Sequence, residues 1–201
     1  ELSTGSDLDC FVIFEADGLT DGAAPIEAAV FYHGAVEILQ ALLGDITAAG
    51  IVFPLDLRLR PGSKGSGFAA SLASMAQYYR EWADPWERQT LTRARLVAGA
   101  PAVGRSVRRL ITALLYGADA PPPDLKEMRM LRERMEKELG KETPGLFHVK
   151  FGKGGLVDVE FITQALQLVH GRRHPGIRRP NTLQAIRALG GAGPGPAPRR
   201  G

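Results

Sequence analysis

The chain has 201 residues, 44% of them hydrophobic and 23% charged, with a formal net charge of +3 and a pI near 9.2. That length can bury a core in one large domain or two small ones. The basic excess is spread along the chain rather than gathered in a Lys/Arg block, so no nucleic acid is expected as partner. Cys10 is the single cysteine, which excludes an intrachain disulfide. No apolar run approaches ~18 residues and no secretory signal opens the sequence, so no membrane is expected and the cytoplasm is the default location.

The first informative stretch is Ser6-Asp7-Leu8-Asp9, running into Cys10-Phe11-Val12-Ile13-Phe14 and stopped by Asp17 and Gly18. The apolar run predicts a buried strand, with Cys10 a small hydrophobe inside it. Side chains alternate along a strand, so Asp7 and Asp9 share a face. Two carboxylates held together repel unless a cation or proton lies between them, and such a pair of hard oxygen donors suits Mg2+. A strand cap and a solvated edge residue is the bland alternative for the two.

Pro25 to Ala49 reads as a helix, with Pro25 in its first turn and Ile26, Val30, Val36, Leu39, Leu42, Leu43 and Ile46 as an apolar stripe. His33 within it reads as a packed or surface histidine, since no Cys or second His stands at metal-ligand spacing. In residues 51–61 the odd positions are apolar, while Asp56, Arg58 and Arg60 share the opposite face, which is strand periodicity. Pairing with the first strand would put a third carboxylate beside the first two, with guanidinium groups following it. Metal-assisted nucleotidyl transfer uses this set: carboxylates hold cations at the attacking and leaving oxygens, and arginines offset phosphate charge. A strand whose ions pair only with each other remains open. The loop Pro61-Gly62-Ser63-Lys64-Gly65-Ser66-Gly67 could turn its amides and Lys64 towards a phosphate, or could simply form a flexible rim.

Ser71 predicts a helix cap, with the helix running to Trp82 and turning Leu72, Met75, Ala76 and Tyr79 to the core. Asp84, Pro85 and Glu87 predict a capping box that opens a helix to Gly99, with Arg93 read as part of a structural ion-pair network. Pro101–Tyr116 is a further amphipathic helix, and Pro121-Pro122-Pro123 marks a hinge. Asp124 caps a helix with Leu125, Met128, Leu131, Met135 and Leu139 as its stripe, Glu133 and Lys137 paired, and Gly140 at its end. Gly152, Gly154 and Gly155 lead into a helix from Leu156 to His170, where Asp158 and Glu160 suit the dipole of the first turns. A short helix spans Asn181–Leu189.

Taken in order, Ser6-Asp7-Leu8-Asp9, the strand around Asp56, Trp86-Glu87-Arg88-Gln89 and Gly154-Gly155-Leu156-Val157-Asp158-Val159-Glu160-Phe161 resemble the glutamine synthetase adenylyltransferases. The similarity runs from residue 1 to about residue 190. The Trp86 and Asp158 segments look more like the adenylyl-attaching half of those two-headed enzymes than the removing half.

This resemblance implies an α+β fold: a nucleotidyltransferase palm of the DNA polymerase beta type with its packing helices over residues 1–118 and a helical domain over 119–190 that is cut short; the glycine-, proline- and arginine-rich composition of residues 191–201 predicts a disordered tail. It implies transfer of AMP from ATP to a tyrosine hydroxyl of glutamine synthetase, with Asp7, Asp9 and Asp56 holding Mg2+ or Mn2+. Asp56 would also activate the tyrosine. Ser6 would contact the triphosphate, and Arg58, Arg60 and Lys64 belong to the nucleotide-binding expectation. Glutamine synthetase is the implied partner, with the PII signalling protein as a further one through the full-length enzyme. Phosphorolytic removal of AMP, uridylyl transfer to a signalling protein and a non-catalytic binding module are the alternatives. In such enzymes a glycine-rich cradle precedes the counterpart of Glu1, so the chain as given is expected to bind metal and turn over poorly.

Overall fold

The computed structural model describes residues 7–44, 50, 53–58 and 67–191. The chain forms two compact units: Glu1–Ala83 with Ala98–Leu110, and Asp84–Val97 with Ile111–Gly201. Helices combined with small strand pairs are compatible with an α+β class. The prolines at 121–123, expected at a hinge, lie within the second unit. No helix among the described residues is long and apolar enough to cross a membrane.

In the first unit the stretch from Leu8 to Phe14 carries two short strands, β1 (Leu8–Asp9) and β2 (Val12–Phe14). The single strand expected there is interrupted because the two pieces take different partners. β1 pairs in parallel with β3 (Leu55–Asp56), and β2 pairs in parallel with β4 (Ala69–Ser71). Parallel pairing needs a crossover connection, and α1 (Ala28–Gly44) lies in the chain between β2 and β3. The core beneath is Phe14, Val36, Leu57 and Ala69, with Cys10, Val12, Ala28 and Phe68 packed against it. Burial, with the charge of Asp9 as a lesser cause, pushes the Cys10 thiol up, consistent with its reading as a small hydrophobe.

α1 starts later than the Pro25 signal suggests. Thr20 and Ile26 close a turn instead, through Thr20 N to Ile26 O at 2.9 Å and Ile26 N to Thr20 Oγ1 at 3.1 Å, and the Ala28 amide then donates to Gly18 O at 2.8 Å. Of the expected stripe Val36 is buried, whereas Val30, Leu39 and Leu42 are exposed. His33 is packed as expected: its ring stacks on Phe68 at 4.7 Å and its Nδ1 accepts from the Phe68 amide at 3.0 Å. A Cβ on Gly67 would sit 3.0 Å from that same nitrogen, a tighter contact than usual.

α2 (Leu72–Glu81) is capped by Ser71, whose Oγ accepts from the Ser74 amide at 3.1 Å and donates to Asp17 Oδ2 at 2.9 Å. Met75 and Tyr79 are its fully buried residues, as the spacing predicts.

In the second unit the Asp84 capping box opens α3 (Pro85–Thr90). This helix ends well before the expected Gly99. The Thr90 and Thr92 hydroxyls take the Glu87 and Gln89 carbonyls, and a 3-10 turn at Leu91–Arg93 leads into extended backbone at Ala94. The units divide within α4 (Pro101–Tyr116). Asp124 caps α5 (Leu125–Met135), accepting from the Glu127 amide at 2.9 Å. Past α5 the backbone widens into a π turn, Glu136–Gly140, and the left-handed residue that closes it is Lys141 at φ 43° rather than Gly140. Glu133 pairs with Arg129 at 2.7 Å, not with Lys137.

α6 (Leu156–His170) and α7 (Thr182–Gly191) complete this unit. Gln167 fastens the segment between them, donating to the Ile177 and Arg179 carbonyls at 2.8 Å each. The tail expected to be disordered lies, from Ala192 on, outside the described residues.

Ser71→Ala removes both the α2 cap and the tie to Asp17. It is expected to lower stability by about 1–2 kcal/mol, read as an earlier midpoint in urea denaturation; an unchanged midpoint would contradict the cap's role.

Candidate active site

The pairing of β1 with β3 sets the geometry. Leu8 lies opposite Leu55 and Asp9 opposite Asp56, fixed by bonds of 2.8 Å from the Leu8 amide to Pro54 O and from the Cys10 amide to Asp56 O. The register therefore puts two acids side by side on neighbouring strands, as the sequence predicts. Asp7 stands two residues before Asp9, just outside β1, and is exposed. Buried Leu57, immediately after Asp56, anchors β3 in the core.

Of the strand expected through Arg60, the described part is β3, which ends at Asp56, with Leu57 and Arg58 outside it; Leu59 and Arg60 lie outside the described residues. The Asp56 carboxylate turns along the chain, Oδ1 accepting the Arg58 amide at 2.9 Å, an Asx-type turn that draws the backbone out of line. Arg58 then folds back, and its guanidinium donates to Asp56 Oδ2 through Nε at 2.7 Å and through Nη2. These hydrogen bonds hold the Asp56 carboxyl below its ordinary range, with burial acting in the opposite direction. Asp56 raises the Arg58 value in turn, and Asp9 and Asp7 add smaller contributions of the same sign. One guanidinium thus feels all three carboxylates. Ser6, Arg60 and Lys64 lie outside the described residues.

The donor chemistry fits a hard divalent cation, since Asp7, Asp9 and Asp56 offer only carboxylate oxygens. They are not drawn into a ready cluster: among the described residues no three His, Cys, Asp or Glu side chains are gathered as a metal site. Arg58 holds the Asp56 carboxylate instead.

Asp158 and Glu160 of the second unit are committed to its own structure. Buried Arg132 places Nε 2.6 Å from Asp158 Oδ1 and donates from Nη2 to Gly152 O at 2.9 Å. Asp158 Oδ2 accepts the Gly154 amide at 2.6 Å, so the glycine turn is tied to both α5 and α6. Gly154 has φ 76°, and a Cβ on Gly155 would lie 2.7 Å from Val149 O. Glu160 pairs with Arg93, as expected of that arginine, and the side chains of buried Gln89 and Gln164 bond at 2.6 Å. Sequence reasoning missed Arg132; the available signal was its position four residues after Met128, on the apolar side of α5.

Residues 1–110 match the family model described as glutamate-ammonia ligase adenylyltransferase, and residues 125–194 match the model described as GlnD PII-uridylyltransferase. The chain belongs to the glutamate-ammonia ligase adenylyltransferase family. Three relatives named bifunctional glutamine synthetase adenylyltransferase/adenylyl-removing enzyme agree with that placement. The protein from Xanthobacter autotrophicus is 37% identical over 181 residues, covering 88% of this chain and 18% of the relative. Its counterpart in Methylococcus capsulatus is 38% identical over 200 residues, covering 94% and 21%. The one in Mycobacterium avium is 36% identical over 202 residues, covering 98% and 20%. The chain spans about a fifth of the length of these relatives.

The folded value of Asp56 lies below its ordinary 3.8. Its contribution to stability is therefore complete above that ordinary value and is lost as pH falls through the lower folded one. A carbon-13 NMR titration is expected to show the Asp56 carboxyl titrating below 3.8 in the wild type and moving up in Arg58→Gln. An unchanged midpoint in the variant would contradict the assignment of the shift to Arg58.

Proposed function

We propose that the chain carries a nucleotidyl-transfer centre on a palm of the DNA polymerase beta type and passes AMP from ATP to a tyrosine hydroxyl of glutamine synthetase in the cytoplasm. One observation carries the reading: Asp9 and Asp56 occupy partnered positions on neighbouring parallel strands, within the segment that matches the family model. Asp7, Asp9 and Asp56 would hold Mg2+ or Mn2+, and such cations, when bound, stabilise the attacking and leaving oxygens of a phosphoryl transfer. Asp56 is also the group that orients the tyrosine hydroxyl and accepts its proton. Ser6 contacts the triphosphate, and Arg58, Arg60 and Lys64 offset its charge.

The attaching direction rests on the Trp86-Glu87-Arg88-Gln89 and Val157-Asp158-Val159-Glu160 segments, and phosphorolytic removal uses the same centre. The match of residues 125–194 favours one second reading, uridylyl transfer to a PII-type signalling protein, with PII otherwise entering as a partner of a longer enzyme.

A parallel assay separates these readings: labelled ATP with glutamine synthetase, labelled UTP with a PII-type protein, and adenylylated glutamine synthetase with phosphate. The expected outcome is slow labelling of a glutamine synthetase tyrosine from ATP, reduced on the order of a hundredfold or more in Asp9→Asn and Asp56→Asn. Label passing from UTP to the PII-type protein would select the second reading, and ADP released from adenylylated glutamine synthetase would select removal. Mn2+ binding that neither substitution weakens would contradict all three.

A further inference from the structure

The geometry points to Arg58 as a built-in counter-cation of the carboxylate site, one that holds Asp56 while no metal is present and is displaced when a divalent cation binds. This inference rests on the proposed metal-holding role of Asp56 and deepens it by naming what metal binding must first undo.

Three observations carry it. Both oxygens of the Asp56 carboxylate are taken by the same residue, Oδ1 by the Arg58 amide at 2.9 Å and Oδ2 by the guanidinium, with Nε at 2.7 Å. The two partners are unequally exposed: the Asp56 side chain is 9% exposed and that of Arg58 is 84% exposed. The carboxylate is therefore fixed, with its strand anchored through Leu57, whereas the guanidinium can swing into solvent without opening the core. Asp56 also faces Asp9 across the strand pair, so removing the guanidinium leaves two acids in register with no bridging positive charge from Arg58.

A divalent cation brings twice the charge of the guanidinium to these carboxylates, and a guanidinium that is itself solvent-exposed is a weak competitor. Arg58 thus limits repulsion in the metal-free site and yields to the metal. The Asx turn depends on the Arg58 backbone rather than its side chain, so Asp56 keeps its orientation as the guanidinium leaves Oδ2.

The test is Mn2+ titration of the full 201-residue chain, read from the electron paramagnetic resonance signal of free Mn2+, for wild type, Arg58→Gln and Arg58→Lys. Far-ultraviolet circular dichroism is expected to be unchanged in both variants, given the exposure of the side chain. Arg58→Gln is expected to bind Mn2+ about fivefold more tightly. Arg58→Lys, which keeps the charge and loses the forked donor, is expected to fall between it and wild type. Equal or weaker binding by Arg58→Gln, with Asp56→Asn still losing metal, would overturn the counter-cation role and leave the metal site standing. Binding by Arg58→Lys as tight as by Arg58→Gln would also overturn it, because the retained positive charge would then have no effect on the metal. Wild-type affinity in both Asp9→Asn and Asp56→Asn would remove the metal site, and this role with it.

Discussion

Two aspartates at partnered positions on neighbouring parallel strands are the constraint on which the first unit depends. Like charges set side by side across a strand pair destabilise it unless something answers them. The backbone does not give way, since bonds to the Pro54 and Asp56 carbonyls hold the register and Leu57 anchors it below. The charge is met locally instead, by a guanidinium two residues along the chain. A strand that continued past Asp56 would point Arg58 away along the sheet; the turn at Asp56 brings it back. Strand ending and charge compensation are thus one event.

The second unit meets a similar demand by burial. Arg132 is 7% exposed and lies against Asp158 while donating to a glycine-loop carbonyl. A buried charge is tolerated when it is paired; here the ion pair with Asp158 and the bond from Nη2 to Gly152 O fix the entry into α6, while Nε and Nη1 have no hydrogen-bond partner among the described residues. Exposure separates the two arginines in kind: a buried guanidinium is part of the scaffold, whereas an exposed one can be exchanged for another cation. The same contrast divides the acids. Asp158 and Glu160 pair with Arg132 and Arg93, and Asp9 and Asp56 are the pair placed in register by the strands.

What could be read in the sequence was local chemistry. Ser71, the Asp84 box and Asp124 mark helix starts because a cap needs only its next three residues. Asp9 beside Asp56 was legible in part: alternation put the acids on one face of each expected strand, while the pairing of the two strands, a non-local contact, entered only as a condition. The shortness of β1 and β2 was not, since it depends on a change of partner from Leu55–Asp56 to Ala69–Ser71, a non-local choice. The early end of α3 turns on the Thr90 and Thr92 hydroxyls, which compete with helical bonds only in context. The Asx turn at Asp56 left a trace, because aspartate readily bonds an amide two residues on, but the alternation of Leu55, Leu57 and Leu59 masked it.

The account stands on a cation meeting the chain at the β1–β3 pair. Paramagnetic broadening by Mn2+ in a nitrogen-15 labelled sample locates that meeting residue by residue. The account predicts early and selective loss of the amide signals of Leu8, Asp9, Asp56 and Leu57. Broadening confined to the acidic surface of Glu133, Glu136 and Glu142, with the β1 and β3 signals intact, would contradict it.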